Sequence, residues 1–398
     1  MLLFLAPREG FDPRSRRLWR SHRYFRLMGG SLLFVSISTC VSTPEDQGPP
    51  LELWNAETIA AHIPSQVKDR EGWATDVAQA ISALGKPLTP ERVCAVLAVV
   101  EQESGFQTNP LVADLPGLVR RELLSKLDRL GPLADPALAA LLSLKAPGSA
   151  KNFGDRIADL RTERDLDRFF RDLAAAYRDK LPKTFVMASV LSKVLGKGSL
   201  ADFNPVTTIG SMQVKVEYAR SLADFSSLDD ADLRERLYTR IGGLRAGTAR
   251  LLDYTASYTD IIYRFADYNA GVYAARNAAF QERLAALSGK KLALDGDILA
   301  YRDPEVPSET LKTLIAWGEK NELSSWTINR DASKEKEQAF EDTRSWEFIG
   351  KAWEQRFGRP WSYARMPQLQ IVSPKMIHKR STEWFANAVK QRYVRCRS

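Results

Sequence analysis

Thr89-Pro-Glu-Arg-Val-Cys-Ala-Val-Leu-Ala-Val-Val-Glu-Gln-Glu-Ser-Gly-Phe106 is the stretch of sequence that predicts the centre of the fold. Its first three residues are typical of a helix start, because threonine caps the helix, proline fits the first turn and a carboxylate suits the positive end. From Val93 to Val100 the stretch is apolar on every side. A helix that is apolar all round is buried, so we expect this helix to lie in the core.

Two glutamates, Glu101 and Glu103, lie at the end of this predicted helix. A carboxyl group at the edge of an apolar helix is partly desolvated, which raises its pKa and suits it to donate a proton near neutral pH. The local pattern by itself favours a plainer interpretation, in which both glutamates end the helix in solvent. Positions two apart differ by about 200° around a helix, so we expect only one of them to face a given cleft. Periodicity does not choose between them.

Helical patterns cover most of the remaining chain, and 44% of the 398 residues are hydrophobic. We expect helices at about 118–130, 135–144, 164–180, 183–195, 229–257 and 260–287, and one strand at 368–373. Strand patterns are otherwise few. The sequence therefore predicts a mainly α fold, or α+β with little sheet.

The amino-terminal region, 1–39, resembles an export signal. It holds seven arginines against two carboxylates, followed by a short apolar run at 27–39 that is too short for a membrane span. Ile37-Ser-Thr-Cys40 resembles a bacterial lipobox, in which the cysteine receives a lipid. A plain signal peptide or a membrane anchor are the alternatives. Residues 40–55, rich in Gly and Pro at 44–50, are expected to form a tether.

A lipid on Cys40 would anchor the chain to a membrane of the cell envelope. Val41 is not the aspartate that commonly retains lipoproteins at the inner membrane, so we expect the periplasmic face of the outer membrane. The inner membrane and the free periplasm are the alternatives. Nucleic acid is not an expected partner of an exported chain, although the formal net charge is +8.

The carboxyl-terminal part of the chain, 291–398, is expected to form an extension that is basic and rich in tryptophan. Residues 343–398 hold twelve Lys and Arg against three Glu, together with four of the nine tryptophans. These tryptophans could stack on sugar rings, or they could belong to a core. Trp346 and Trp353 are seven residues apart, at the spacing of one helix face, which favours the core.

Several kinds of chemistry are disfavoured by what the sequence lacks. Beyond residue 39 the only histidines are His62 and His378, and neither has a partner at metal-binding spacing. Nucleotide-binding glycine loops and Ser-His-Asp signatures are missing as well. We therefore expect no metal and no cofactor. Cys94 and Cys396 could form a disulfide in an oxidising compartment, but the sequence does not decide this.

Two further segments accompany the glutamates. They are Asn204-Pro-Val-Thr-Thr-Ile-Gly-Ser-Met-Gln-Val214 and Phe265-Ala-Asp-Tyr-Asn-Ala-Gly271. Together with Glu103-Ser104, they resemble the lytic transglycosylases of the soluble type, whose fold is related to goose-type lysozyme. That family has Glu-Ser at the end of a buried helix, then Gly-Leu-Met-Gln, then Ala-Tyr-Asn-Ala-Gly. The order is the same here, and the 55 residues from Gln213 to Tyr268 fit the family's interval.

The resemblance implies that Glu103 is the catalytic acid and base, because the family's acid directly precedes the serine. Glu103 would protonate the glycosidic oxygen between N-acetylmuramic acid and N-acetylglucosamine, and would then take the proton of the sugar's C6 hydroxyl. The product is a 1,6-anhydro end, made without water. Ser104 would orient the substrate or Glu103, Met212 and Gln213 would line the sugar subsite, and Tyr268 would bond the glutamate or the substrate. The substrate-binding residues that the resemblance implies are Ser104, Asn204, Met212, Gln213, Tyr268 and Asn269.

This sequence departs from the family in two main places. Glu103 and Gln213 are 110 residues apart, so we expect a long insertion at about 110–203 within a catalytic domain at 56–290. It would shape access to the cleft or dock a protein partner, as the C-terminal extension also could. Asn204-Pro205 stands where the family often has Ser-Pro, and the asparagine can still donate a hydrogen bond to a sugar. Asp267, the one candidate for a second carboxylate, is expected to face outward or to cap a helix locally.

Peptidoglycan glycan strands are thus the expected partner, and a membrane-anchored lytic transglycosylase is the leading interpretation. A lysozyme-like muramidase, which hydrolyses the same bond, is the first alternative. A wall-binding lipoprotein without activity on the same fold is the second.

Overall fold

Helices form nearly all the regular structure in this computed structural model, which describes residues 52–180, 204–301, 306–371 and 380–398. The expected mainly helical fold class is therefore confirmed. The first part of the chain contains α1 (Ala56–His62), α2 (Arg70–Ser82), α3 (Pro90–Ser104), α4 (Leu115–Leu127), α5 (Ala134–Ser143), α6 (Phe153–Ile157) and α7 (Glu163–Lys180). The second part contains α8 (Val216–Ser221), α9 (Asp230–Leu237), α10 (Arg240–Leu252), α11 (Ile261–Ala270), α12 (Ala274–Ser288), α13 (Glu309–Glu319), α14 (Ser325–Ala332), α15 (Arg344–Phe357) and α16 (Thr382–Arg397). Short 3₁₀ helices cover Asp128–Leu133 and Gln338–Phe340.

Helix α3 is the buried helix that the sequence predicts. Pro90 occupies its first turn, and every side chain from Val93 to Val100 is buried. Gly105, with a left-handed φ of 57°, ends the helix, and its backbone N–H donates to the carbonyl oxygen of Glu101. Glycine adopts this conformation without steric cost. The helix therefore ends directly after Glu103 and Ser104.

The last helix, α16, packs along both α3 and α11. Cys94 of α3 and Cys396 of α16 form a disulfide with an S–S distance of 2.02 Å, across a sequence separation of 302 residues. The sequence did not decide whether these two cysteines pair, and the structure shows that they do. The described residues from 53 onward form one compact unit, and the end of the expected C-terminal extension completes the core around α3.

Two of the long helices expected from the sequence are divided in the structure. The stretch 229–257 breaks between α9 and α10, where the side chain of Thr239 caps α10 by accepting from the Gly242 N–H. The stretch 260–287 breaks between α11 and α12, where Gly271 has a φ of 133° and Tyr273 a φ of 65°. Left-handed residues cannot continue a right-handed helix. The expectation of continuous helices was therefore wrong. It rested on the apolar pattern, which continues through both breaks.

The strands in the described residues form two short antiparallel pairs. β1 (Thr208–Ile209) pairs with β2 (Val214–Lys215), with Thr208 opposite Lys215 and Ile209 opposite Val214. Gly210 in the turn has a φ of 84°, and a side chain there would come within 2.4 Å of the Leu237 carbonyl oxygen. This position therefore requires glycine. Of the strand expected at 368–373, the described part contains β3 (Gln370–Ile371), which pairs with β4 (Arg380–Ser381), and 372–373 lie outside the described residues.

Helices α4 to α7 form the described part of the expected insertion. A bridge between Leu111 and Thr162 joins its beginning to the start of α7, and Phe153 and Phe169 are buried in the main core. The helix expected at 183–195 lies outside the described residues. The expected signal peptide, Cys40 and the tether as far as residue 51 lie outside them too.

Helices α12 to α15 surround a second hydrophobic cluster. Trp346 and Trp353 are 5% and 9% exposed, which confirms that these two tryptophans belong to a core. Trp384 is 38% exposed and stacks under the guanidinium of Arg380. Two of the four tryptophans are therefore too buried for the stacking on sugar rings that was the other possibility.

Candidate active site

A cleft of about 650 Å³ lies where α3, the β1–β2 hairpin, α11 and the insertion meet. Glu103 reaches it from the end of α3, Gln213 and Lys215 from the hairpin, and Asn269 from α11. All three segments that carry the resemblance thus contribute to one cavity, although they are far apart along the chain.

Glu103 is half-buried in this cleft, and its carboxyl group has no hydrogen-bond partner or ion-pair partner among the described residues. Burial is the largest influence and raises its pKa to about 8. The positive charge of Arg250 lowers the pKa, and the negative charge of Glu163 raises it further. Because its pKa lies above neutrality, Glu103 holds a proton at pH 7 and can donate it to a bound group.

Glu101 occupies the opposite side of α3. Its carboxylate accepts from Arg395 of α16 at 2.5 Å and lies 3.7 Å from the Nε of Arg392. Two arginines thus neutralise Glu101 outside the cleft. Of the two glutamates that periodicity left equal, only Glu103 lines the cavity.

Tyr268 connects the second and third motifs. Its side chain is buried, and its hydroxyl donates to the backbone carbonyl of Met212 at 2.6 Å. The sequence predicted a hydrogen bond to the glutamate or the substrate, but the hydroxyl proton of Tyr268 is used within the protein. Glu103 lies close enough for its charge to raise the pKa of Tyr268, in addition to burial. Tyr268 therefore holds the hairpin against α11 beside the glutamate.

Met212 was predicted to line the sugar subsite, and the structure corrects this. Its side chain is fully buried and packs against α10, where a Cβ at Gly247 would lie 2.4 Å from the sulfur. The absence of a side chain at Gly247 therefore makes the room that Met212 fills. Only the backbone of Met212 has a part in the site, through Tyr268.

Gln213 and Asn269 line the cleft as expected. The side-chain oxygen of Gln213 accepts from Thr208 at 3.0 Å, and its Nε2 donates to Glu163 at 3.4 Å. The side-chain oxygen of Asn269 accepts from Thr382 of α16 at 2.8 Å. These bonds fix the orientation of both amides.

Ser104 and Asn204 do not line the cavity in the described structure. The hydroxyl of Ser104 donates to the Val100 carbonyl at 3.1 Å and accepts from the Gln107 N–H at 3.3 Å, so it fastens the end of α3. The amide of Asn204 donates to Asp167 of α7 at 2.7 Å. Their polar atoms are therefore bonded within the protein, and their contacts with substrate stay predictions.

Asp267 is fully buried behind the cleft, so of the two expected arrangements the outward-facing one does not occur. It accepts from the hydroxyls of Tyr254, at 3.1 Å, and Tyr258, and from the Ala275 N–H at 2.7 Å in the first turn of α12. The expectation of a local cap is met by this last bond. Burial raises its pKa to about 6, against the lowering effect of these bonds. Asp267 does not line the cleft beside Glu103.

Glu163 is a residue of the site that sequence reasoning missed. It is the first residue of α7, is 2% exposed and accepts from Gln213. Its charge acts on Glu103, so a second carboxylate does lie near the first. It comes from the expected insertion, and the family motifs contain no signal for it.

Arg250 of α10 is the second missed residue. It is 7% exposed, lines the cleft, and donates from Nε to the Tyr268 carbonyl at 3.0 Å. Its guanidinium lies 5.4 Å from the ring centre of Tyr218 and 5.5 Å from that of Tyr268. The run Leu244-Arg-Ala-Gly-Thr-Ala-Arg-Leu-Leu252 contains two arginines, Arg245 and Arg250, so the sequence did not single out the one that lines the cleft.

The insertion forms one apolar wall of the cleft. The apolar side chains that α4, α7 and the segment before α4 contribute are Val112, Leu115, Leu118, Val119, Leu166 and Phe170, and Glu122 of α4 is the charged exception. The opposite wall carries the polar and charged groups. The two walls are therefore unlike in chemistry.

A second cavity of about 670 Å³ continues from the polar wall. It shares Lys215, Arg250, Asp297 and Tyr301 with the cleft, and Tyr218, Tyr254 and Tyr273 also line it. Asp297, Tyr301 and Lys336 belong to the expected C-terminal extension, which thus contributes to the walls.

Within the described residues, no three His, Cys, Asp or Glu side chains come together in a way that could hold a metal ion. Across the same part of the chain, none of the helices has both the length and the apolarity required to cross a membrane.

Comparison with known proteins places the chain in a family. A family model described as "Protein of unknown function (DUF1615)" matches residues 66–398. Over 342 residues the chain is 35% identical to the "Uncharacterized protein YaiW" of Escherichia coli (strain K12), a match covering 86% of this chain and 89% of the relative. No solved structure matches the chain. Since the family model spans most of the chain and the relative is matched along nearly its whole length, the chain belongs to the DUF1615 family.

Proposed function

We propose that this protein is a peptidoglycan lytic transglycosylase with Glu103 as its single acid and base. The three motifs meet around one cleft, and this arrangement supports a lysozyme-like fold as part of the same proposal. The observation that carries the proposal is the state of Glu103. Its carboxyl group faces the cleft without a partner among the described residues, and its pKa of about 8 keeps it protonated at neutral pH.

The proposed reaction needs one carboxyl group and no water. Glu103 donates its proton to the glycosidic oxygen, and the bond from that oxygen to C1 of the muramic acid breaks. The C6 hydroxyl of the same sugar attacks C1, and its proton returns to Glu103. Gln213 and Asn269 are held by Thr208 and Thr382, so their amides are oriented before the glycan binds.

Hydrolysis of the same bond is a second candidate, and Glu163 is the observation that favours it. Glycosidases that use water need two carboxyl groups, one as the acid and the other as the base. Glu163 is the carboxylate whose charge acts on Glu103, whereas Asp267 is tied to two tyrosines. Its burial and its bond from Gln213 favour an electrostatic role over that of a base.

Digestion of purified peptidoglycan, with mass spectrometry of the fragments, separates these functions. Anhydro ends support the proposal, reducing ends support the muramidase, and intact glycan supports a wall-binding protein without activity. Glu101→Gln is the matched control for Glu103→Gln, since it removes the same charge from the other side of α3. Cleavage by Glu103→Gln at the wild-type rate would contradict the assignment of the acid.

We also propose that the protein is a lipoprotein of the cell envelope, anchored through Cys40 on the periplasmic face of the outer membrane. The Cys94–Cys396 pair supports an oxidising compartment, because disulfides persist there and are rare in the cytosol. Labelling with a radioactive fatty acid tests the anchor. Cys40→Ala should lose the label and leave the membrane fraction, and retention of the label would contradict the proposal.

A further inference from the structure

Arg250 lies in the cleft with most of its hydrogen-bonding capacity unused. Only its Nε has an acceptor among the described residues, the carbonyl oxygen of Tyr268. The rings of Tyr218 and Tyr268 hold the guanidinium on two sides, and the residue is 7% exposed. A buried cation with unused donors is costly unless an anion or polar ligand meets it.

Lys215 of β2 is a second cation at the same place. It lines both cavities together with Arg250, and its side chain forms no hydrogen bond or ion pair with any described residue. Although its side chain keeps contact with solvent, desolvation lowers its pKa, and the positive charge of Arg250 lowers it further. Two cations that repel each other are thus held together at the junction of the two cavities.

Three of the carboxylates nearby are already engaged or kept neutral. Asp297 forms an ion pair with Lys336 at 2.6 Å. Glu163 is buried and accepts from Gln213, and Glu103 holds a proton at neutral pH. Glu217 acts on Lys215 through its charge, without forming an ion pair to it. The site therefore has room for one more negative charge beside the two cations.

We infer that Arg250 and Lys215 form an anion subsite next to Glu103, and that this subsite binds a carboxylate carried by the glycan substrate. The identity of the ligand rests on the proposed function, whereas the cationic subsite rests on the geometry alone. Guanidinium groups match carboxylates through paired hydrogen bonds. Uncharged glycans of the same backbone lack the group that this subsite would recognise.

Peptidoglycan offers that carboxylate from two sources. A muramic acid stripped of its peptide carries a free lactyl carboxylate on the sugar itself. A muramic acid that retains its peptide has this carboxylate in an amide bond, and its free carboxylates lie further out along the peptide. Both present the same chemistry to Arg250, and ligands of the two kinds distinguish them.

Binding can be measured without turnover by calorimetry on the full chain carrying Glu103→Gln. Three tetrasaccharides serve as probes: peptide-free peptidoglycan glycan, the same glycan with its peptides, and uncharged chitotetraose. We expect at least one charged glycan to bind about tenfold or more tightly than chitotetraose, because bonds between charged groups are the stronger ones. Preference for the peptide-free glycan assigns the lactyl carboxylate, and preference for the other assigns the peptide.

Lys215→Met and Arg250→Lys, each in that background, test the two cations. The ammonium group of Lys215 bonds to no described residue, so a variant that changes only this side chain should fold normally. We expect each variant to lose affinity for the charged glycan, by about threefold to tenfold, with no change for chitotetraose. Arg245→Met is the control, because Arg245 lies on the same helix and pairs with Asp224 outside the cleft.

Three results would overturn the subsite: equal binding of charged and uncharged glycans, equal losses for all three probes in the variants, or no binding of any probe. Failure of the proposed function gives a different result. If the wild-type protein binds peptidoglycan in this charge-dependent way but does not cleave it, the subsite is supported and the proposed activity is contradicted. Cleavage with charge-independent binding gives the reverse.

Discussion

Two glutamates on opposite sides of α3 lie in contrasting environments. On the α16 side, Glu101 meets Arg395 and Arg392 and is neutralised by ion pairs. On the cleft side, Glu103 has no such partner among the described residues, and burial raises its pKa to about 8. The two glutamates are only two positions apart. The comparison teaches that the neighbouring helix, rather than the local sequence, decides which carboxyl group is fastened and which is available for chemistry.

The sharpest test of this comparison is the activity of the two glutamine variants. Glu103→Gln should lower the rate of peptidoglycan cleavage at least about 100-fold, because general acid catalysis contributes that much or more. Glu101→Gln should cleave at a rate close to that of the wild type. Release of soluble fragments from purified peptidoglycan measures both. Equal rates for the two variants would remove the distinction between the two sides.

The α16 side should matter most for stability. Replacing Cys94 and Cys396 together by serine should lower the free energy of unfolding by about 2–5 kcal/mol, because the disulfide closes a long loop in the unfolded chain. Denaturant titration, compared with the wild type under oxidising conditions, gives this value. As a control, a reducing agent should destabilise the wild type and leave the double variant unaffected. Insensitivity of the wild type would show that the pair is not formed.

The cleft side should respond to pH. Glu103 acts as an acid only while protonated, so cleavage should decline as the pH rises through about 8. Glu163→Gln removes a charge that raises the pKa of Glu103, so the decline should move to lower pH while activity at pH 6 is largely kept. Glu122→Gln, at the edge of the cleft and paired with Lys126, should not move it. A pH profile that is the same for all three proteins would exclude Glu163 as an influence on the acid.

The same pKa predicts how stability depends on pH. Glu103 has a higher pKa in the folded protein, about 8, than its ordinary value of 4.5, so the folded state holds the proton more strongly. Its contribution is fully present below 4.5 and is lost as the pH rises through about 8. The difference in unfolding free energy between wild type and Glu103→Gln should therefore change in favour of the variant over this range. A constant difference would contradict the raised pKa.

The smallest effect is expected from the ion pairs of Glu101. The side chain of Arg395 is 61% exposed, and exposed ion pairs contribute about 1 kcal/mol or less. Glu101→Gln should therefore lower the unfolding free energy by no more than that. A loss comparable to that of the cysteine variant would mean that the arginines, and not the disulfide, fasten α16.

The sequence predicted those features whose causes lie close together along the chain. The burial of α3 follows from its uninterrupted apolar run, and the place where it ends follows from Gly105. The motifs placed Glu103, Gln213 and Asn269 correctly at one cleft. The catalytic roles of these residues stay predictions.

The features that the sequence did not predict depend on contacts between distant segments. The side chain of Met212 packs into the core because Gly247 of α10 leaves space for it. The polar atoms of Ser104 and Asn204 could bind a ligand or a protein group. In the structure they donate hydrogen bonds to the Val100 carbonyl and to Asp167. Glu163 and Arg250 join the site only because α7 and α10 pack beside α3, and no local pattern reports that neighbourhood.

The disulfide also sets an order of events in the making of the protein. Cys94 is synthesised 302 residues before its partner, so α3 cannot acquire the cover of α16 until almost the whole described chain has been made. A chain halted partway exposes the apolar surface of the helix that carries Glu103, and such surfaces aggregate or are degraded. Assembly of the cleft and closure of the bond thus belong to one late step. An incomplete chain should therefore contain Glu103 before α16 is present to cover α3.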